Sequence, residues 1–390
     1  MNKIAIIGAG PTGATLALRL AQAGIEVKLI EAAKNFQRQF RGEGLMPSGL
    51  EALEQMDLSE ILERVPQRPI DSWEIIVNER SLFQIQEPFE PSKPPCTLVS
   101  QPHLLTEIVN KASQYPNLEF LPGSAVKELV QNQAGRVVGV KLASGQEITA
   151  DLVIGADGRN SIVRKQAGLK LTKLSSEIDI LWFKLSPDQL LESENTFYSI
   201  VRDRSSFGLF RSSTGELNLG WALHQDDDYD WKTTDWRQKL ADTTPEWLAK
   251  HIRAETTTIT APLLLSVVVG RCPQWYKPGV LLLGDAAHPM SPIRAQGINM
   301  ALQDALFASK QLITLWQDQA DTSIIDKILA QIQSTREPAI IKIQKLQQTE
   351  FAQAQKLRRF AILRSLVSNF APLVGLVVRG SWFKRQLKMR

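Results

Sequence analysis

The sequence predicts an α/β fold in which a Rossmann-type nucleotide-binding domain is interrupted by a mostly antiparallel β-sheet domain and completed by a helical C-terminus. Three observations predict it. The apolar run Ile4–Ile7 opens directly into Gly8-Ala9-Gly10-Pro11-Thr12-Gly13 and then into an alanine- and leucine-rich stretch at helical spacing. Two later apolar runs, Asp151 to Ile154 and Val280 to Leu283, each end in a glycine loop that carries an acid, GADGRN and GDAAH. Between them, residues 171–265 alternate in strand fashion and hold five of the nine tryptophans.

The first thirty residues form one local unit. A strand, a GxGxxG turn, a helix from Ala14 to Ala23 ended by Gly24, and a second strand from Glu26 to Ile30 lead to Glu31. Gly8 supplies a tight turn, Gly10 close backbone approach to a pyrophosphate and Gly13 close packing of helix on strand, while Glu31 can hold a ribose hydroxyl. An acid at that position disfavours a phosphorylated adenosine ribose, so the tightly held nucleotide is FAD or NAD rather than NADP. Arg41, in a glycine-spaced segment that runs into a helix through Leu53, could lie along that nucleotide or over its redox ring.

Residues 71–96 read as a hairpin that leaves this domain, with a proline-rich return from Pro88 to Pro95. Gln101 starts a helix that reaches Ala112, and Asn117 to Val130, Val137 to Leu142 and Glu147 to Ala150 read as strands. Asp157 is a second acid at a strand end, with Arg159 and Arg164 nearby. The expected strands of the inserted sheet are Leu181 to Leu185, Thr196 to Val201, Ser206 to Arg211, Glu216 to Leu223 and Thr256 to Thr260. Such an aromatic-rich sheet can wall an apolar ligand, with Trp182 and Trp221 as candidate lining residues. The segment Gly284-Asp285-Ala286-Ala287 presents a third strand-end acid, and a helix begins near Gly297. Further helices are expected, with a break at Arg336-Glu337-Pro338 and a last long one reaching about Phe360. The implied domains are 1–70, 97–170 and 266–350 for nucleotide binding, 71–96 and 171–265 for substrate, and a tail at 351–390.

Charge is unevenly distributed. Nine of the 45 basic residues and none of the 41 acidic ones follow Glu350, so the body carries 36 basic against 41 acidic residues. An acidic body without a recognised binding motif argues against nucleic acid as partner. Residues 357–390 mix apolar and basic side chains, and Arg364 and Pro372 keep the apolar run below the roughly 20 residues of a membrane span. Peripheral contact with a membrane is the expectation there. The early strand leaves no room for a signal peptide, and Cys96 and Cys272 form neither a metal pattern nor a disulfide framework, so the expectation is a cytoplasmic protein without a metal, membrane-associated through that tail.

GAGPTG near the start, GADGRNSIVR in the middle and GDAAHPMSP followed by QGINMALQDA together resemble the flavoprotein monooxygenases of the para-hydroxybenzoate hydroxylase type, a group that includes the ubiquinone-biosynthesis hydroxylases. The resemblance covers roughly residues 1–350. It implies an FAD-binding domain in which Gly8, Gly10, Thr12, Gly13 and Glu31 hold the ADP half of FAD, with Arg41 and Gln101 near the cofactor. It further implies Asp157 by the pyrophosphate, Gly284 and Asp285 at the ribityl chain, and Pro292, Gly297, Ile298 and Asn299 along the isoalloxazine ring. NADH or NADPH and O2 would be the co-substrates, and an aromatic or quinone-like, lipophilic molecule the substrate. The chain departs from the family at Ile293-Arg294-Ala295, where small residues are usual, which makes Arg294 a candidate pocket residue. His288 reads as a packing histidine, and His224 and Tyr198 are the candidates for activating a phenol. An oxygen-independent reductase acting on an isoprenoid and a non-catalytic ligand-binding protein remain the alternatives, while halogenation is disfavoured by the lack of a Trp-x-Trp-x-Ile-Pro motif.

Overall fold

The glycine-bounded apolar runs line up in one six-stranded sheet, in the order Tyr276–Lys277, Val280–Leu282, Leu152–Gly155, Lys3–Ile7, Glu26–Glu31, Leu118–Pro122. All neighbours are parallel except the edge strand Tyr276–Lys277. Ile4, Ala5, Ile6, Leu152 to Ile154 and Val280 to Leu283 are all buried, as a sheet covered on both faces requires. This computed structural model describes residues 3–37, 42–174, 178–187, 195–254, 256–318 and 322–389. Its helices are α1 (Pro11–Gln22), α2 (Pro47–Glu54), α3 (Gln101–Ala112), α4 (Ile162–Gln166), α5 (Trp236–Thr243), α6 (Glu246–Arg253), α7 (Gln296–Gln317), α8 (Thr322–Arg359), α9 (Ala361–Asn369) and α10 (Ala371–Leu387).

Two compact units emerge. The first comprises residues 1–66, 101–175 and 268–344, and the second 67–100, 176–267 and 345–390. The fold is therefore α/β, with a Rossmann-type sheet, a largely antiparallel second sheet and a helical C-terminus. The tail residues cluster with the second unit instead of standing apart.

Two expectations fail within the first unit and its helices. The single strand expected over Asn117 to Val130 is two strands, Leu118–Pro122 in the parallel sheet and Val126–Gln131 in a separate antiparallel sheet with Val137–Leu142 and Glu147–Thr149. Gly123, at φ +69°, turns the chain between them. The expected break at Pro338 is also absent, because α8 continues through it. Pro338 and Ser334 are exposed, so the Ser334 carbonyl that loses its proline donor can be hydrated.

The second unit is built on a seven-stranded sheet, in the order Leu263–Leu265, Ile178–Leu185, Leu217–His224, Ser205–Arg211, Thr196–Arg202, Ser72–Val77, Arg80–Gln86. Only Thr196–Arg202 and Ser72–Val77 pair in parallel. Thr256 to Thr260 is not a strand; Ile259 makes one isolated bridge to Leu185, and Leu263–Leu265 takes the edge position. Period-two alternation assigns the faces. Leu181, Phe183, Leu209, Leu219 and Trp221 pack with Leu240 of α5 and Leu248 and Ile252 of α6 in one core. The residues between them, including Trp182, Phe210 and Asn218, belong to the opposite face.

Candidate functional site

At the carboxyl edge of the parallel sheet three loops meet. Gly8 donates its N–H to Ile30 O at 2.7 Å, and Ala156 donates to Ile7 O at 2.8 Å, so each loop departs from the adjacent strand's end. A Cβ on Gly8 would stand 2.4 Å from Ala156 O, and one on Gly13 only 1.9 Å from Gly8 O. These contacts set the turn against the second loop and let α1 start directly on its strand. The third loop closes the group, since a Cβ on Gly284 would lie 2.5 Å from Thr12 Oγ1. Arg164, buried on α4, donates to Ala286 O at 2.8 Å and to Arg159 O at 2.7 Å, tying the second and third loops together.

The acids at this edge behave differently. Both Glu31 oxygens accept backbone N–H groups, from Ala9 and Ala33, each at 2.8 Å. Glu31 thus shapes the glycine turn. Asp157 Oδ2 accepts from the N–H groups of Ile162 and Val163 at 2.7 and 3.1 Å, capping α4, whereas its Oδ1 is buried without a partner. Burial pushes the Asp157 carboxyl above the usual carboxylate range, against the lowering effect of its hydrogen bonds. Asp285 is exposed on a short turn whose neighbours on both sides are buried. Gln101 is buried at the first position of α3, and Arg41 lies outside the described residues.

The segment before α7 is strained. Arg294 and Ala295 both adopt left-handed backbone, with φ +61° and +50°, a conformation that costs about 1–3 kcal/mol for each non-glycine residue. It is held by Asn299, whose Nδ2 donates to Ala295 O at 2.8 Å and Gly44 O at 3.1 Å while its Oδ1 accepts Met46 N–H at 2.9 Å. The Asn299 side chain is therefore fully engaged by protein. Pro292 and Gly297 are half-buried, Ile298 is buried, and Gln296 Oε1 is buried without a partner.

These residues fit an FAD. Gly10 and Gly297 have nothing within 4 Å of where a Cβ would stand, α1 starts without a side-chain cap, and the Asp157 and Gln296 oxygens are orphaned nearby in sequence to those loops. Open backbone approach, free helix N–H groups and unused acceptors are what a dinucleotide with a polar ring edge takes up. No group of His, Cys, Asp and Glu suited to a metal occurs among the described residues.

In the second unit the face opposite the α5–α6 core carries a row of rings. Trp182 meets Phe210 edge-on at 6.3 Å, Phe210 stacks on Phe197 at 5.4 Å, and Phe197 contacts Trp73 at 4.8 Å. Gly220 and Gly208 let the rings lie flat, because a Cβ there would come within 2.9 Å of Trp182 and 3.1 Å of Phe197. Trp221 does not belong to this face. It is sealed in the core, stacked on Phe207 and donating to Tyr229 Oη at 2.9 Å, so its expected role as a lining residue is corrected.

Neither expected phenol activator is suitably placed. Tyr198 packs on the α5–α6 side, 5.3 Å from Trp247. His224 shares the parity of Trp182 but lies under α8, with Nδ1 at 2.8 Å from Gln355 and its ring stacked on Phe351. Burial first, then the Arg358 charge, depress its pKa to about 4, which makes it a weak base at neutral pH. Sequence patterning alone does not single out Asp304, Arg336, Phe197 or Phe210. The signal available for Asp304 was a lone acid on an otherwise apolar helix face.

The strand-end loops and open glycines define a flavin-nucleotide protein. The chain belongs to the FAD binding domain family, whose model matches residues 1–338. It is 31% identical to 6-methylpretetramide 4-monooxygenase of Streptomyces rimosus over 78% of this chain and 73% of that protein. It is 24% identical to ubiquinone hydroxylase UbiM of Neisseria meningitidis over 97% of this chain and 84% of that protein. Its fold matches PqsL of P. aeruginosa, solved with 2-aminobenzoylacetate, with TM-score 0.78 at 21% identity, over 92% of this chain and 99% of that one. The protein is an FAD-dependent monooxygenase of the aromatic-hydroxylase type, using NAD(P)H and O2 as the family does.

Proposed function

We propose that the enzyme hydroxylates an electron-rich aromatic or quinone-like, lipophilic molecule, and that the aromatic face bearing Trp182, Phe210, Phe197 and Trp73 receives it. The observation that carries this reading is that row of rings, held flat by Gly208 and Gly220 on the sheet face opposite the α5–α6 core. A planar apolar substrate gains stacking area there without presenting charge. Gly8, Gly10, Thr12, Gly13 and Glu31 would hold the ADP half of FAD. Asp157, Gly284 and Asp285 would hold the pyrophosphate and ribityl chain, and Pro292 with the backbone from Gly297 to Asn299 would support the ring. When bound, the flavin passes two electrons from NAD(P)H to O2 and delivers one oxygen atom, the other leaving as water. The chain's part is to orient ring and substrate and to exclude water, and it needs little proton chemistry from side chains.

We extend this reading to a substrate reached at a membrane surface, with residues 357–390 making the contact. The reaction is tested by NADH and NADPH oxidation with a panel of phenols and quinols under 18O2. A product heavier by one labelled oxygen is expected. Turnover without oxygen would assign a reductase instead, and ligand binding without oxidation of either nucleotide would assign a non-catalytic protein.

A further inference from the structure

The C-terminal helices are built inside out. On α9 the buried side chains are polar: Arg364 donates to the carbonyls of Leu357 and Arg358 at 3.1 and 3.0 Å, and Ser368 donates to Val77 O at 3.2 Å. Its outward positions are apolar, at the i, i+4, i+8 spacing of one helix face: Ile362 is 79% exposed, Leu366 51% and Phe370 54%. α10 continues the pattern. Ala371, Gly375, Trp382 and Gln386 face the second unit, where a Cβ on Gly375 would lie 2.0 Å from Leu82 O and Trp382 contacts Phe83 at 5.5 Å. That docking fixes the opposite face, where Leu373, Leu376 and Val377 are 66, 74 and 79% exposed. Eight of the thirteen large apolar side chains exposed among the described residues fall between Phe360 and Val377.

We propose that α9 and α10 form a docking face that lies in the headgroup layer of an anionic membrane. This names the surface for the membrane contact in the proposed function and rests on that reading. The two helices are bent by 100° and neither alone is long and apolar enough to cross a membrane, so an in-plane seat suits their one-sided apolar faces. Charge selects the occupant. Lys356, Arg379, Lys384 and Lys388 are exposed, no acidic residue follows Glu350, and Glu350 itself is paired with Arg385 at 2.7 Å. A second copy would bring like charge against like, whereas anionic headgroups complement it, each basic residue at the leaflet adding about fivefold in affinity.

The test uses the FAD-loaded full chain and vesicles of phosphatidylglycerol with phosphatidylcholine, against phosphatidylcholine alone. Pelleting with the anionic vesicles is expected, lowered roughly a hundredfold in affinity by Leu366→Glu, Leu376→Glu and Val377→Glu together. Lys384→Ala with Lys388→Ala should weaken it roughly twentyfold or more and flatten its salt dependence. These side chains are exposed, so flavin content and NAD(P)H oxidation with a water-soluble phenol should match the parent and report an intact fold. A dye on Leu373→Cys should shift to shorter wavelength on the vesicles. Failure of the parent to pellet, or undiminished pelleting of the triple variant, overturns the proposal. So does a vesicle-independent dimer that the triple variant abolishes, since a second copy would then be the occupant. Pelleting with no hydroxylation of any substrate would overturn the catalytic reading and leave the docking face standing.

Discussion

Asp304 on α7 accepts Arg336 Nε of α8 at 2.8 Å, with both side chains sealed from water. The same carboxylate accepts Gly284 N–H at 2.9 Å and contacts His288 Nε2 at 2.6 Å, and His288 packs on Trp275 at 4.9 Å. One buried acid thus anchors the turn that presents Asp285. Truncation in Asp304→Ala would leave Arg336 as an uncompensated buried charge, a loss of about 3–5 kcal/mol. Urea melts of the apoprotein should show that loss, accompanied by weaker FAD binding because the Gly284 turn is released.

The same site sets an acid limit. Burial opposes ionisation of Asp304, but the charges and hydrogen bonds of His288 and Arg336 outweigh it and hold the pKa at about 2. A carboxyl depressed in the folded state contributes stability that is fully present above its unfolded value of about 3.9. That contribution is lost as pH falls toward about 2. The urea midpoint should therefore decline between about pH 4 and pH 2 in the parent, and Asp304→Asn should show a shallower decline over the same interval.

Gly10 and Gly13 separate two kinds of glycine. A methyl at Gly13 meets Gly8 O at 1.9 Å and must push α1 off its strand, so Gly13→Ala should lower apoprotein stability by about 1–3 kcal/mol. A methyl at Gly10 meets no protein atom within 4 Å. Gly10→Ala should leave the apoprotein melt unchanged yet weaken FAD at least tenfold in a flavin-fluorescence titration. Equal FAD affinity in Gly10→Ala and parent would show that the pyrophosphate does not approach that backbone.

The parallel sheet was readable because three of its strands, Lys3–Ile7, Leu152–Gly155 and Val280–Leu282, are short apolar runs that end in a glycine motif. The misreadings have local causes. Gly123 divides a stretch whose two halves look alike in composition but join different sheets. Pro338 carries a strong helix-breaking signal, and only tertiary placement reveals that its unpaired carbonyl partner faces solvent. Trp221 and Trp182 are both tryptophans on neighbouring strands, and their one-residue difference in parity decides which is core and which is surface. The Asp304–Arg336 pair joins residues 32 positions apart on two helices, a separation that no local pattern encodes.

Arg294 and Ala295 store strain at the start of α7. Arg294→Gly removes the steric part of it and should raise stability by about 1 kcal/mol in urea melts, since glycine adopts left-handed backbone freely. The proposed role of this segment beside the flavin ring predicts a cost elsewhere: a looser turn should raise the fraction of NAD(P)H oxidation that yields hydrogen peroxide instead of hydroxylated product. Raised stability with unchanged coupling would mean that the strain serves the fold alone.

Gly220 supports Trp182 from below, and that relation tests the aromatic face directly. In Gly220→Ala the new methyl would lie 2.9 Å from the indole, so the ring must lift or rotate. Gly220 belongs to the second unit and the proposed FAD loops to the first, so flavin content should be unchanged. If the row of rings receives the substrate, KM for a large planar phenol should rise roughly tenfold while a small one is affected less. Trp182→Ala should reverse the size preference by opening space where the indole lay. Parallel changes for large and small substrates in both variants would place the substrate on some surface other than this row.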